Sequence, residues 1–240
     1  MHSPPHSSLQ HRALRVENWG RTRYRDAVAL QRERLAARRD GTIPDTLIFT
    51  EHNPVYTIGV RKGAESHLIW DDALCNRMGV EVEKTSRGGD ITFHGPGQIV
   101  GYPILDLRNQ RDLHRYLREL EECLIRALGT LGLAASRNPG KTGIWLGDRK
   151  IAAIGVAVKS WITWHGFALN VCTDLGYFQG IVPCGITEGS VTSIKAELSE
   201  CPSEHDVRDV ITSAFKEVFG FDRIVASSTF FSVQRGQKLL

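Results

Sequence analysis

Apolar residues along the chain follow two rhythms, steps of three and four or steps of two, and glycine or proline separates the runs. The clearest helix is predicted over 112–131. There Leu113, Tyr116, Leu117, Leu120, Leu124, Leu128 and Leu131 share one face, and Gly132 ends it. A second amphipathic helix, 203–219, turns Val207, Val210, Ile211, Ala214, Phe215 and Val218 inward behind a Ser203 cap. A third, 23–38, is apolar at Ala27, Val28, Leu30, Leu35 and Ala36 and stops before Gly41 and Pro44. Short helices are predicted over 71–78 and 192–198, and a helical connection over 176–181.

Strands are predicted over 13–19, 45–50, 55–58, 80–84, 99–105, 142–146, 150–159 and 162–171. Gly147-Asp148 and Ser160-Trp161 read as hairpin turns, and Glu51-His52-Asn53-Pro54 as a turn with His52 at the surface. There is no internal repeat and no linker rich enough to mark a boundary. Mixed strands that mostly return through hairpins, with a few helices, give an α+β fold: a single domain of mixed, mostly antiparallel sheets with flanking helices. The domain is expected over 13–225, between a disordered tail at 1–12 and a weakly patterned end at 226–240.

Composition narrows the function classes. A hydrophobic content of 41% and a charged content of 24% are ordinary for a soluble globular chain. No apolar run approaches the roughly 20 residues of a membrane helix. The first residues lack the apolar centre of a secretory signal, so a cytoplasmic protein without membrane contact is expected. A net charge of +3 is too small to argue for nucleic acid. The arginine-rich face at Arg23, Arg25, Arg32, Arg34, Arg38 and Arg39 is either solvated or a docking surface for an acidic partner. Five cysteines, an odd number without CxxC spacing, argue against a disulfide framework or a zinc site.

Three places carry candidate chemistry. The run Arg87-Gly88-Gly89-Asp90-Ile91-Thr92-Phe93-His94-Gly95-Pro96-Gly97-Gln98 is glycine-rich, polar and followed by a buried strand. Such a shaped loop lets a ligand approach the backbone, although a tight hairpin would use the same glycines. Cys184 sits between stiff Pro183 and small Gly185, which suits an accessible nucleophile; a buried structural thiol is the bland alternative. Lys150 leads into Ile151-Ala152-Ala153-Ile154-Gly155. A partly desolvated amine there can act as a base, whereas a strand-end lysine usually keeps its head in water. The small residues that follow leave room for something slender, such as an acyl chain. His165 and His94 allow a weaker cysteine–histidine reading.

These segments occur together and in order with His165-Gly166-Phe167-Ala168-Leu169-Asn170 and Pro183-Cys184-Gly185-Ile186. From about Thr46 to Leu198 the chain resembles the lipoyl(octanoyl) transferases. The resemblance implies a fold of the biotin/lipoate protein ligase type and no cofactor. It implies transfer of an octanoyl group from octanoyl-acyl carrier protein to a lysine of lipoyl domains, those of 2-oxoacid dehydrogenases and the glycine cleavage H protein. It assigns the acyl thioester to Cys184 and acid–base assistance to Lys150. It assigns the acyl site to Arg87, Gly88, Gly89, Asp90, Ile91, Thr92, Phe93 and His94, to Ala153, Ile154 and Gly155, and to Gly166, Phe167 and Ala168. Asp90, Phe93 and Ala157 depart from residues common in that family. An ATP-dependent lipoate or octanoate ligase on the same fold, a non-catalytic lipoyl-domain or carrier-binding protein, and a cysteine hydrolase are the alternatives.

Overall fold

The computed structural model describes residues 12–182, 190–198 and 200–226. Its first unit is a parallel crossover: β1 (Ala13–Thr22), α1 (Tyr24–Arg39) and β2 (Asp45–His52), with β1 and β2 side by side. After β3 (Val55–Ile58), α2 (Asp72–Arg77) and β4 (Glu81–Lys84) come β5 (Ile91–His94) and β6 (Gln98–Ile104). Then follow α3 (Leu113–Thr130), β7 (Ser136–Asn138), β8 (Lys141–Leu146), β9 (Arg149–Lys159) and β10 (Ile162–Asn170). The remaining elements are β11 (Ser190–Val191), α4 (Ile194–Leu198), α5 (Glu204–Phe219) and β12 (Arg223–Ala226).

A nine-stranded sheet runs β12-β1-β2-β6-β10-β9-β8-β7, with β11 added on β9, and a three-stranded sheet runs β4-β3-β5. The ladders from β2 to β7 are antiparallel, while β12–β1, β1–β2 and β11–β9 are parallel. The expected α+β class therefore stands, but the first strands join through a helix rather than a hairpin.

The large sheet is covered on both faces, so its central strands β6 and β10 are buried along their whole length. On one face α3 and α5 bury Leu120, Leu124, Leu128, Val207, Ile211 and Phe215 against Leu47, Ile99 and Leu169. Each such side chain removed from water is worth about 1.5–3 kcal/mol. The Asp112 carboxylate accepts from Arg115 N, the Ser203 hydroxyl from Asp206 N, and Gly220 closes α5 in the left-handed conformation. On the other face α1 packs Ala27 and Leu35 over Ile48, Val100, Tyr102, Ile104 and Ile162. A third core lies under the small sheet, around Tyr56, Ile91, Phe93 and Phe178.

Several expectations are corrected. Residues 91–94, inside the segment read as a loop, form β5. The basic face at α1 and its N-cap is a solvated one, the blander of its two readings, with Arg23, Arg25, Arg32 and Arg39 exposed; Arg23 pairs with Glu81, Arg25 with Glu83, Arg34 with Glu17, and Arg38 with Asp45 and Asp106. His52 is fully buried, with Nε2 at 2.6 Å from the Tyr102 hydroxyl, because β2 extends through it. Cys172 and Cys201 are disulfide-bonded across a Cα–Cα distance of 6.1 Å, against the expectation of thiols throughout. Cys75 and Cys123 are free and buried, Cys123 in the core as expected. Among the described residues no helix is long and apolar enough to cross a membrane.

Candidate active site

The β9–β10 ladder sets Gly155 opposite Gly166 and Ala153 opposite Ala168. Small residues facing each other across two strands leave a trough in an otherwise packed sheet. The trough opens into a cavity of about 370 Å³, within the usual range of small-molecule sites of roughly 300–1,000 Å³. Residues 87–89 edge it. Gly88 N donates to Val156 O at 2.9 Å, and a Cβ on Gly155 would stand 2.8 Å from Gly88 O, so the loop can rest on the strand only above a glycine.

Of the fourteen acyl-site residues expected from the sequence, twelve line this cavity: Arg87, Gly88, Gly89, Asp90, Thr92 and His94 from the loop and β5, Ala153, Ile154 and Gly155 from β9, and Gly166, Phe167 and Ala168 from β10. Ile91 and Phe93 do not. A strand sends alternate side chains to opposite faces, and these two enter the third core, where Phe93 stacks on Tyr177 at 4.7 Å.

A buried polar chain ties the motifs together. Arg87 donates from Nε and Nη2 to Thr57 Oγ1. Thr57 Oγ1 lies 3.2 Å from His94 Nε2, and His94 Nδ1 lies 2.8 Å from Gln98 Oε1. Gln98 Nε2 donates to Asn170 Oδ1, and Asn170 Nδ2 to Thr192 O. The loop, β5, β6, β10 and the segment after β11 are thus one hydrogen-bonded unit. Burial pushes the His52 imidazole down to about 4 and His94 well below its ordinary value. His165 is pushed down to about 3, by burial first and then by the charges of Arg87 and Arg32. The cavity floor is therefore uncharged in its imidazoles at neutral pH. Both His94 nitrogens are engaged, which weakens the cysteine–histidine alternative.

Asp90 is buried, with Oδ1 at 2.7 Å from His67 Nδ1 and Oδ2 at 3.2 Å from Arg61 Nη1. It fastens the loop to the segment that carries the 3₁₀ turn Ala64–His67.

Lys150 is the second residue of β9, lines the cavity and is buried. Its amine sits 5.2 Å from the centre of the Trp145 ring. Cys184 lies in 183–189, outside the described residues. The flanks of that segment are described. Val182 N donates to His67 O at 2.8 Å. On the far side Val191 is in register with Lys150, and Thr192 N donates to Lys150 O at 2.9 Å.

Sequence reasoning did not single out Tyr24, Arg61, Tyr102, Leu113, Leu117 or Trp145, which also line the cavity. Leu113 and Leu117 carried a signal, being outlying members of the apolar face of α3. Tyr24 carried none: its hydroxyl donates to Thr85 Oγ1, 61 positions away.

Residues 23–216 match the family described as Lipoyl protein ligase A/B catalytic domain. The chain is 52% identical over 203 residues to an octanoyltransferase of Rubrobacter xylanophilus, covering 84% of this chain and 91% of the relative. It is 48% identical over 210 residues to an octanoyltransferase of Solibacter usitatus, covering 87% and 94%. Among solved structures, a lipoate-protein ligase A bound with ATP superposes with a TM-score of 0.72 at 20% identity, covering 91% of this chain and 89% of that one. A biotin protein ligase from Aquifex aeolicus superposes at 0.51 and 8% identity, covering 87% and 69%. Those two likenesses concern the fold.

Proposed function

The chain belongs to the lipoyl protein ligase A/B catalytic domain family and is an octanoyltransferase, and from that premise we propose that Cys184 and Lys150 carry the transfer, from octanoyl-acyl carrier protein to a lysine of a lipoyl domain. Residues 13–225 act as the catalytic unit, in the cytoplasm. The acceptors are the lipoyl domains of 2-oxoacid dehydrogenases and the glycine cleavage H protein.

The observation that carries this is the placement of Lys150. The lysine is buried at the cavity, and the chain returning from the Cys184 segment pairs with it at Val191. A buried amine at the cavity, on a strand that pairs with the chain just after the Cys184 segment, supports a base that takes the thiol proton.

In the first step the Lys150 amine takes the proton of the Cys184 thiol. The thiolate adds to the thioester carbonyl of the donor. Collapse of the tetrahedral species breaks the bond to the carrier's thiol, which leaves with the proton from Lys150. Octanoyl-Cys184 remains. In the second step the neutral lysine of the lipoyl domain attacks the new thioester. It gives its proton to Lys150, which passes it to the departing Cys184 sulfur as the amide forms, so that the thiol and the neutral Lys150 amine are restored. The chain's own part is to hold the alkyl group between Ala153, Gly155, Gly166 and Ala168. At about 0.8 kcal/mol per buried methylene, six methylenes contribute roughly 5 kcal/mol before ordering costs.

The test is an ATP-free reaction of enzyme, octanoyl-carrier protein and apo-lipoyl domain, followed by intact mass. One octanoyl group on the lipoyl domain is expected, with loss of transfer in Cys184→Ser and Lys150→Ala. Modification that occurs only from free octanoate with ATP overturns the proposal in favour of a ligase, and release of free octanoate overturns it in favour of a hydrolase.

A further inference from the structure

We propose that Gly143 and Trp145 are positioning residues that aim the Lys150 amine; this rests on the acid–base role given to Lys150 above.

Three observations at one spot carry it. First, the β8–β9 ladder changes register there. Leu146 faces Arg149 and Trp145 faces Lys150, but Ile144 faces Ala152, so Ile151 is left over on β9. An extra residue in one strand bends it and re-aims neighbouring side chains. Ile151 is fully buried in the main core, while Lys150 turns to the cavity.

Second, the lysine side chain crosses the space where Gly143 has no side chain. A Cβ on Gly143 would stand 2.5 Å from Lys150 Cε and 3.3 Å from Lys150 Nζ. It would also stand 2.6 Å from Ala152 O, a backbone atom that cannot swing aside. Gly143 has φ +118°, a conformation other residues adopt only with strain. The glycine is thus required twice, once by its own backbone and once by the path of the lysine.

Third, the Trp145 ring lies beside the amine. It is buried, its centre is 5.2 Å from Lys150 Nζ, and 5.5 Å from Lys141 Nζ. Both distances are inside the roughly 6 Å over which an aromatic face attracts an ammonium. The indole Nε1 has no hydrogen-bond partner among the described residues. What Trp145 offers Lys150 is therefore a face, which phenylalanine can supply and leucine cannot. An unrestrained lysine side chain has several rotatable bonds and many rotamers open to it. A gap on one side and an aromatic face on the other restrict it to one course. Misplacing a reacting group by about 1 Å can cost on the order of 100-fold in rate.

The test compares Gly143→Ala, Trp145→Leu, Trp145→Phe and Lys150→Ala, each checked by near-UV circular dichroism and thermal melting. The readouts are kcat and KM for octanoyl-carrier protein, and the pH profile of Cys184 alkylation by iodoacetamide, followed on the Cys184 peptide. Gly143→Ala and Trp145→Leu should lower kcat about 10- to 100-fold with KM within about twofold. They should move the alkylation profile toward that of Lys150→Ala. Trp145→Phe should stay within about threefold of the parent. In a Lys150→Ala background neither Gly143→Ala nor Trp145→Leu should add more than about twofold.

An impaired Lys150→Ala beside folded, unimpaired Gly143→Ala and Trp145→Leu proteins overturns this proposal alone. So do effects that multiply with Lys150→Ala. An unimpaired Lys150→Ala overturns the acid–base role and the present proposal with it. Should Gly143→Ala fail to fold, the contrast between Trp145→Leu and Trp145→Phe decides.

Discussion

Arg87 edges the cavity but is held from behind by Thr57, whose hydroxyl accepts from Nε at 3.1 Å and from Nη2 at 2.8 Å and whose carbonyl accepts from Nη2 as well. Two elements are joined there: β3 of the small sheet and the glycine-rich loop over the large one. Replacing Thr57 by valine keeps the shape and removes the hydroxyl. The buried guanidinium then loses acceptors, and His94 Nε2 loses its neighbour. A loss of about 2–4 kcal/mol is expected, because hydrogen bonds to buried charged groups are among the stronger ones. Urea unfolding measures it. A midpoint shift equivalent to less than about 0.5 kcal/mol would show that the Arg87–Thr57 contact does not hold the loop.

Stability should fall on mild acidification. His52 and His165 are held down to about 4 and about 3, chiefly by burial. In the unfolded chain both return to about 6.5. Above that value neither state binds the proton, and the folded protein has its full stability. As pH falls below about 6.5 only the unfolded chain binds it, so stability is lost steadily until the folded values near 4 and 3 are reached. At about 1.4 kcal/mol per pH unit, each histidine removes roughly 2 kcal/mol by pH 5. Urea midpoints at pH 7.5 and pH 5 check this, and His52→Gln should flatten the difference. Equal midpoints for the parent would mean the imidazoles are not buried as described.

Filling the trough should change which chain fits. Ala153 faces Ala168 across the ladder and lines the cavity. Leucine at 153 occupies space that the alkyl chain would use. Donors two or three carbons shorter should then be preferred over octanoyl, with each displaced methylene costing about 0.8 kcal/mol, or about fourfold in kcat/KM. Competition between acyl-carrier proteins of different length reads the shift. An unchanged octanoyl preference in Ala153→Leu would place the chain elsewhere.

The Cys172–Cys201 disulfide closes a separation of 29 residues that includes β11, α4 and the Cys184 segment. Closing a loop of that size is worth about 3–4 kcal/mol in the chain-entropy account. Unreduced protein, once denatured, should expose two fewer alkylatable thiols than reduced protein, and reduction should lower the melting temperature. Five alkylatable thiols without reductant would contradict the pairing.

Much of the fold could be read from the sequence because α3 and α5 declare themselves by spacing, cap and stop. Leu113–Thr130 and Glu204–Phe219 fall within a residue of the predicted spans. The parallel β1–β2 pair was missed although a helix was expected between its strands, because the hairpin returns of the later strands set the expectation for the whole sheet. β5 was hidden because glycines on either side mask a four-residue strand. The acyl-site residues were legible through the family resemblance of their motifs; the residues themselves hinted only at room beside the small positions after Lys150, and the facing of Gly155 by Gly166 appears in the ladder. Tyr24 and Tyr102 were not, because their places depend on residues remote in sequence; Trp145 was not, because the register shift that sets it opposite Lys150 leaves no mark in the spacing. His52 was misread as a surface residue because nothing nearby announces its contact with Tyr102, 50 positions on.

The central claim is that Cys184 holds the octanoyl group and Lys150 makes that possible. Mixing the enzyme with octanoyl-carrier protein alone, quenching in acid and mapping peptides by mass spectrometry tests it most directly. The account predicts one octanoyl group, labile to hydroxylamine, on the peptide that contains Cys184, and its absence or slow appearance in Lys150→Ala. An octanoyl group on another residue, or equally fast labelling without Lys150, would contradict it.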